Sequence, residues 1–184
     1  MTLPSRLTPA YFKEFSYTKL HLLGRDICAH LSQHYWANSH LHIRWPDLPG
    51  IKRMSVNNLS QIQEWHIATT PLIQWIVGEP IKPSYSFITN YERGSSLPQH
   101  TDRSQCKYNV TILLEAKPPQ WANSWPLFFQ HNGVTSSASL DVGEAVVYSG
   151  TTTPHWRYAM PENLDSVLAL LLHYVATDFT GPLE

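Results

Sequence analysis

Apolar and polar positions follow two different periods along this 184-residue chain, and the change falls near residue 82. From Tyr17 to Tyr35 the apolar residues Leu20, Leu23, Ile27, Leu31 and Tyr35 recur at intervals of three and four, which predicts an amphipathic helix interrupted near Gly24. Thr8-Pro9-Ala10 upstream is a helix start, with the proline in the first turn. Asn58 to Trp75 predicts one or two helices around Thr69-Thr70-Pro71, and Trp45 to Lys52, with Pro46, Pro49 and Gly50, predicts a loop. Beyond residue 82 the segments shorten and become rich in aromatic and β-branched residues. Pro83 to Tyr91 reads as a strand, Glu92 to Ser96 as a turn, and Leu97 to Asp102 as an extended segment just past that hairpin. Tyr108 to Glu115 and Leu127 to Gln130 follow as strands, then Ala138 to Asp141 and Ala145 to Ser149 flank a Val142-Gly143-Glu144 turn. Val167 to Val175 is almost continuously apolar, the pattern of a strand covered on both faces. Pro118 to Pro126 interrupts the strands and is expected to form a lid or a substrate-facing loop. The pattern predicts a mainly β fold with N-terminal helices, a jelly roll buttressed from outside, in one domain over 1–184. Residues 1–82 are its largely helical support and 83–177 its β core.

Within that core, His100-Thr101-Asp102 carries the most chemistry. On an extended segment the side chains of His100 and Asp102 point the same way, so an imidazole and a carboxylate are aimed together. A third ligand from a distant strand, His155 of Pro154-His155-Trp156-Arg157, completes a 2-His-1-carboxylate triad. That donor set holds non-haem Fe(II) and leaves positions open for a co-substrate and dioxygen. The other histidines form no comparable set. His30 and His34 sit four apart on a helical face without a third ligand, His40 and His42 are expected to face solvent, and His66 lies in a predicted helix. His173, inside Leu170-Leu171-Leu172-His173-Tyr174, reads as a buried core residue.

Four segments in order, Asn90-Tyr91-Glu92-Arg93-Gly94, Leu97-Pro98-Gln99-His100-Thr101-Asp102, Gly143-Glu144-Ala145-Val146-Val147-Tyr148 and His155-Trp156-Arg157, resemble the prolyl-4-hydroxylase-like branch of the Fe(II)/2-oxoglutarate-dependent dioxygenases. The resemblance spans residues 83–177. It implies a double-stranded β-helix with Fe(II) held by His100, Asp102 and His155, 2-oxoglutarate as co-substrate and dioxygen as oxidant. Hydroxylation with release of succinate and CO2 is the implied reaction, and desaturation and ring closure share its chemistry. The implied substrate is a small molecule, an amino acid or a peptide.

The chain departs from this branch at the basic residue that grips the far carboxylate of 2-oxoglutarate. Many relatives carry it about ten residues beyond the distal histidine, where this sequence has Asp165 and Ser166. Arg157 is the first substitute, because a guanidinium forks onto a carboxylate and two residues along a strand keep it on the face of His155. Arg103 is the second, although alternation aims it away from the metal unless the strand bulges or turns. Tyr91 matches a tyrosine that lines the co-substrate pocket in this branch, and Tyr108 and His173 are lesser candidates for the same pocket.

Composition removes other classes. At 42% hydrophobic and 15% charged residues the chain is globular, and a net charge of -1 with pI near 6.8 gives no basic stripe for nucleic acid. Two cysteines, Cys28 and Cys106, make neither a disulfide framework nor a paired metal motif. With no apolar run of membrane-spanning length and no signal-peptide core, the expectation is a cytoplasmic protein without membrane or nucleic-acid partners. A Ser-His-Asp hydrolase would need a nucleophile elbow such as GxSxG, which is missing. Two readings stand beside the dioxygenase: a cupin-like metalloenzyme that keeps the triad without 2-oxoglutarate, and a non-catalytic β-sandwich binding module.

Overall fold

The computed structural model describes residues 5–44 and 50–184, so Trp45 to Pro49 of the predicted 45–52 loop lie outside the described residues. Thr8 caps the first helix, α1 (Pro9–Phe15), by accepting from the Tyr11 N–H, with Pro9 in the first turn. The helix stops at Ser16, whose left-handed backbone (φ 60°) returns its N–H to Phe12 O at 2.7 Å. The chain then runs as a strand, β1 (Tyr17–His21), where the sequence predicted a helix. Thr18 and Leu20 point inward and Lys19 and His21 outward, and the five residues pair in register with β9 (Glu144–Ser149) from Tyr17↔Tyr148 to His21↔Glu144. The three-and-four spacing holds only from Leu23 onward, in α2 (Arg25–Ala37). Short strands β2 (Ile43–Arg44) and β3 (Arg53–Asn57) follow, so the first 82 residues contribute strands as well as helices. Helix α3 (Ser60–Val77) runs unbroken through Pro71. Thr69 and Thr70 there donate to Trp65 O and His66 O, occupying carbonyls in the turn that the proline disturbs.

The remaining strands are β4 (Ile81–Glu92), β5 (Leu97–His100), β6 (Tyr108–Lys117), β7 (Leu127–His131), β8 (Val134–Ala138), β10 (His155–Arg157) and β11 (Ser166–Ala176). They form a seven-stranded sheet, β1-β9-β6-β11-β4-β3-β2, and a four-stranded sheet, β5-β10-β7-β8, with every paired neighbour antiparallel. Two predictions need correction here. The Glu92–Ser96 turn does not close a hairpin, because β5 pairs with β10, so the turn, with Gly94 at φ 74°, carries the chain from one sheet to the other. The strand before the Gly143 turn is Val134–Ala138 rather than 138–141. It is set by Asn132-Gly133, both with positive φ, which closes the two-residue β7–β8 hairpin at His131↔Val134.

Strand alternation divides the interior in two. On β11, Leu168, Leu170, Leu172 and Tyr174 face α2 and α3 with Leu31, Tyr35, Ile62 and Ile73, while Val167, Ala169 and Leu171 face the four-stranded sheet with Leu127 and Phe129. Both faces of β11 are therefore covered, as its continuous apolar sequence predicts. His66 ties α3 to this strand: its Nε2–H donates to His173 O at 2.9 Å, and burial pushes its pKa down to about 4 from the ordinary 6.5. A histidine held neutral in the fold stabilises it fully above pH 6.5, and that contribution is lost as pH falls toward 4, about 3 kcal/mol in all. His66→Gln, which can still donate to His173 O, should flatten this part of the acid dependence. Urea unfolding of both proteins at pH 7.5 and 4.5 measures it, and equal losses in the two would refute the assignment.

Candidate metal centre and its cavity

The two sheets enclose a cavity of about 540 Å³. The small sheet contributes His100 from the end of β5 and His155 from β10, which lie opposite each other in the ladder, with ring centroids 4.3 Å apart. Asp102 follows β5 by two residues, and its backbone N–H is fixed to Gly150 O at 2.9 Å. Its carboxylate lies between the imidazoles, Oδ1 at 3.4 Å from His100 Nε2 and Oδ2 at 3.6 Å from His155 Nε2. One ligand atom from each of the three lies within 4.8 Å of the others, the separation at which one cation can touch all three. This is the one such group of three among the described residues.

Each ring is oriented for ligation. His100 Nδ1–H donates to Pro98 O at 2.8 Å and His155 Nδ1–H to Thr153 O at 2.9 Å, so both Nε2 atoms face the gap. Burial opposes charge on His100, but its bonds to Asp102 and Pro98 outweigh that and raise its pKa; burial lowers that of His155. Burial likewise opposes the Asp102 charge, yet the hydrogen bond from His100 and the charges of the neighbouring imidazoles hold it below the usual carboxylate value. Asn109 on β6 donates through Nδ2 to Asp102 Oδ2, and its Oδ1 accepts from Nδ1–H of His173 on β11 at 2.6 Å. The carboxylate is thus held from behind by a chain of two buried side chains. The donor set, two imidazole nitrogens and one carboxylate with the remaining directions open to the cavity, fits a divalent transition metal such as Fe(II).

Gly150 makes this packing possible. A Cβ there would lie 2.6 Å from Asp102 Oδ2 and closer still to Asn109 Nδ2 and Cys106 O. Gly150→Ala should displace the carboxylate and weaken Fe(II) or Co(II) binding by about 10-fold or more while the fold persists. Metal titration beside a thermal melt tests this, and unchanged affinity would count against the packing described.

Strand β4 gives the cavity a direction. Tyr85 and Tyr91 lie at its two ends, separated by about 20 Å at ~3.3 Å per residue. At the inner end Arg157 projects from β10 on the same side as His155, despite a bulge between them. The residue is 8% exposed, and its guanidinium stacks 4.6 Å from the Trp125 ring and gives Nη1–H to Trp125 O. Among the described residues no carboxylate pairs with it, and burial lowers its pKa. Tyr91, 5% exposed and edge-on to Trp125 at 5.2 Å, stands beside it with Thr111 of β6 and Tyr148 of β9. Trp125 belongs to the Pro118–Pro126 segment, and its indole packs against Arg157 behind this end and donates to Tyr158 O at 2.8 Å.

Arg103 lies at the other end, its guanidinium 4.7 Å over the ring of Tyr85. His173 lines the same end, whereas Tyr108 faces α1 and packs edge-on to Phe12 at 5.8 Å, away from the cavity. The sequence left Asn109, Thr111 and Tyr148 unnoticed. The first two are polar residues at alternate, buried positions beside the apolar Val110, Ile112, Leu113 and Leu114, which is the signal that marks them.

No family model matches the chain, and no curated protein matches it. Solved structures do. A prolyl-4-hydroxylase from Pseudomonas putida superposes with a TM-score of 0.74 at 13% identity, over 92% of this chain and 97% of that one. HygX from Streptomyces hygroscopicus, with nickel and 2-oxoglutarate bound, gives 0.76 at 10% identity over 97% and 89%. SnoK, a non-haem α-ketoglutarate-dependent carbocyclase of nogalamycin biosynthesis, gives 0.78 at 11% over 99% and 87%. The fold is a double-stranded β-helix. At these identities the likeness is one of architecture, and it covers nearly the whole chain. In this double-stranded β-helix the triad sits between the sheets, with one guanidinium deeper than the three candidate ligands and another at the mouth. Among the described residues no helix is long and apolar enough to cross a membrane.

Proposed function

We propose that this chain is a non-haem Fe(II)/2-oxoglutarate-dependent dioxygenase that hydroxylates an unactivated C–H bond of a small molecule, amino acid or peptide, releasing succinate and CO2. The observation that carries the proposal is Arg157: a buried guanidinium with no carboxylate partner among the described residues, in the same cavity as a 2-His-1-carboxylate triad. A cation in that position is expected to be compensated by a ligand. A dicarboxylate that chelates the metal at one end and meets Arg157 at the other supplies the compensation. HygX, whose fold is similar, has nickel and 2-oxoglutarate bound in its crystal structure, and that supports the same pair of ligands here.

Bound Fe(II) would supply the oxidising chemistry, coupling decarboxylation of 2-oxoglutarate by dioxygen to oxidation of the substrate. The protein's own share is positional. His100 and His155 present Nε2, their tautomers set by Pro98 O and Thr153 O, and Asp102 presents Oδ1 while Asn109 engages Oδ2. Arg157 forks onto the far carboxylate, with Tyr91 lining the same pocket. Arg157 is the clamp rather than Arg103, because only Arg157 lies on the closed, water-poor side of the triad, where a charge-assisted pair is strongest. Cys28 and Cys106, both free and buried, suit the reducing cytoplasm in which we place the protein.

Anaerobic addition of Fe(II) and 2-oxoglutarate tests the reading. A visible charge-transfer band that needs both components, followed by succinate on admission of air, is expected. No band at saturating concentrations of both would overturn the 2-oxoglutarate assignment in favour of a cupin-like metal site.

A further inference from the structure

We infer that the outer compartment of the cavity is a substrate subsite for a small organic anion carrying a hydrogen-bond donor beside its carboxylate, with Arg103 binding the carboxylate and His173 Nε2 accepting the donor. The inference rests on the dioxygenase reading, since it makes that anion the compound oxidised.

The two ends of the cavity are built for different ligands. The outer wall is aromatic: the rings of Tyr85 and Phe87 stack at 6.1 Å, and the His173 imidazole stacks on Tyr85 at 4.4 Å. Arg103 lies over Tyr85 at 4.7 Å, and Arg53 stands over Phe87 at 5.7 Å. The acid lining this end is Glu184, which accepts from Asn58. No carboxylate among the described residues pairs with Arg103. With 2-oxoglutarate assigned to the metal and Arg157, the Arg103 guanidinium, with which no carboxylate among the described residues pairs, is available to the substrate. A cleft with low-dielectric walls concentrates that charge on whatever enters. Guanidinium held against an aromatic face is also pre-organised to fork onto a carboxylate.

His173 adds polarity to the subsite. It is 4% exposed, and its Nε2 has no hydrogen-bond partner among the described residues, although the residue lines the cavity. Asp102 accepts from Asn109 Nδ2, which fixes the amide so that Oδ1 must accept, which in turn fixes the proton of His173 on Nδ1. Nε2 is therefore a bare lone pair, and burial, which pushes the imidazole down to about 3, keeps it so. A buried acceptor left unmet calls for a donor, and a ligand in the cavity that His173 lines can bring one. A hydroxyl or amine next to the carboxylate meets both groups at once.

The test uses the anaerobic Fe(II)·2-oxoglutarate holoenzyme and matched compounds over a range of side-chain sizes: 2-hydroxy and 2-amino carboxylates, the unsubstituted carboxylates, and the neutral amides of the substituted acids. Binding beside the metal is read as a shift of the visible band, and coupling as succinate formed once air is admitted. Substituted carboxylates should shift the band, with unsubstituted acids at least about 10-fold weaker and amides inert. Arg103→Gln should remove the shift without changing the 2-oxoglutarate needed for the band. His173→Phe should bring the affinity ratio of substituted to unsubstituted acids to one, and His173→Gln, which can donate to Asn109 and accept from a ligand, should restore it. That ratio is insensitive to any change in metal affinity, and melting curves confirm folded variants. The inference is overturned if no carboxylate shifts the band, if amides serve equally, if the ratio survives in His173→Phe, or if Arg103→Gln raises the 2-oxoglutarate requirement. Absence of the band before any probe is added overturns the dioxygenase reading instead.

Discussion

Asp102→Ala should lose Fe(II) binding by about 100-fold or more while keeping its melting temperature within a few degrees. Asp102 supplies the one formal negative charge of the triad, and its two oxygens lie 3.4 and 3.6 Å from the histidine nitrogens. Without it, two neutral imidazoles remain to hold a divalent cation, and metal affinity depends on both ligand count and charge. The fold should tolerate the change, because the side chain sits at the cavity wall and the Asp102 N–H to Gly150 O bond belongs to the backbone. The same substitution removes the acceptor that raises the His100 pKa, so any residual metal binding should depend less on pH near neutrality. Fe(II) or Co(II) titration of the wild type and variant decides the matter. Equal affinities would mean that the triad does not hold metal, leaving the binding-module reading; a loss excludes that reading without choosing between a dioxygenase and a cupin-like enzyme.

Local patterns made much of this architecture legible. The unbroken apolar run of β11 announced a strand covered on both faces, and the residues on its two sides are in fact divided between two cores. His100 and Asp102 could be aimed together because alternation along an extended segment is local. Errors arose where two periods coincide or where pairing decides. Leu20 and Leu23 fit a helical spacing, yet Ser16 ends α1 and β9 offers an edge, so Tyr17–His21 pairs as a strand. The Asn132-Gly133 pair, a strong short hairpin signal, closes β7 onto β8, whereas the Gly143 turn joins no hairpin.

Register is what no local pattern contains. His173 and Asn109 are 64 residues apart and become partners only because β6 and β11 pair at that position. Read alone, His173 is one polar residue in an apolar run, and Asn109 one amide in a strand. Together they form the support behind the Asp102 carboxylate. The same holds for the two arginines: the sequence offered both as alternatives for one role, and the fold separates them to opposite ends of one cavity.

Arg157→Met should raise the concentration of 2-oxoglutarate needed for the charge-transfer band by about 100-fold or more and leave Fe(II) affinity in its absence unchanged. Removing one partner of a buried, hydrogen-bonded charge pair costs about 2–5 kcal/mol, and every 1.4 kcal/mol is tenfold in affinity. Stability should move the other way. Without a ligand the guanidinium is desolvated, is held by one carbonyl and one aromatic face, and has no carboxylate partner among the described residues. A methionine fills similar space without that desolvation cost, so the ligand-free variant should melt at the same temperature or higher. The opposite signs separate function from structure. An arginine kept for packing against Trp125 would lose melting temperature on replacement and leave the 2-oxoglutarate requirement alone. An arginine kept for the co-substrate gives up stability in the empty protein and recovers it on binding, so saturating 2-oxoglutarate with metal should raise the melting temperature of the wild type far more than that of Arg157→Met.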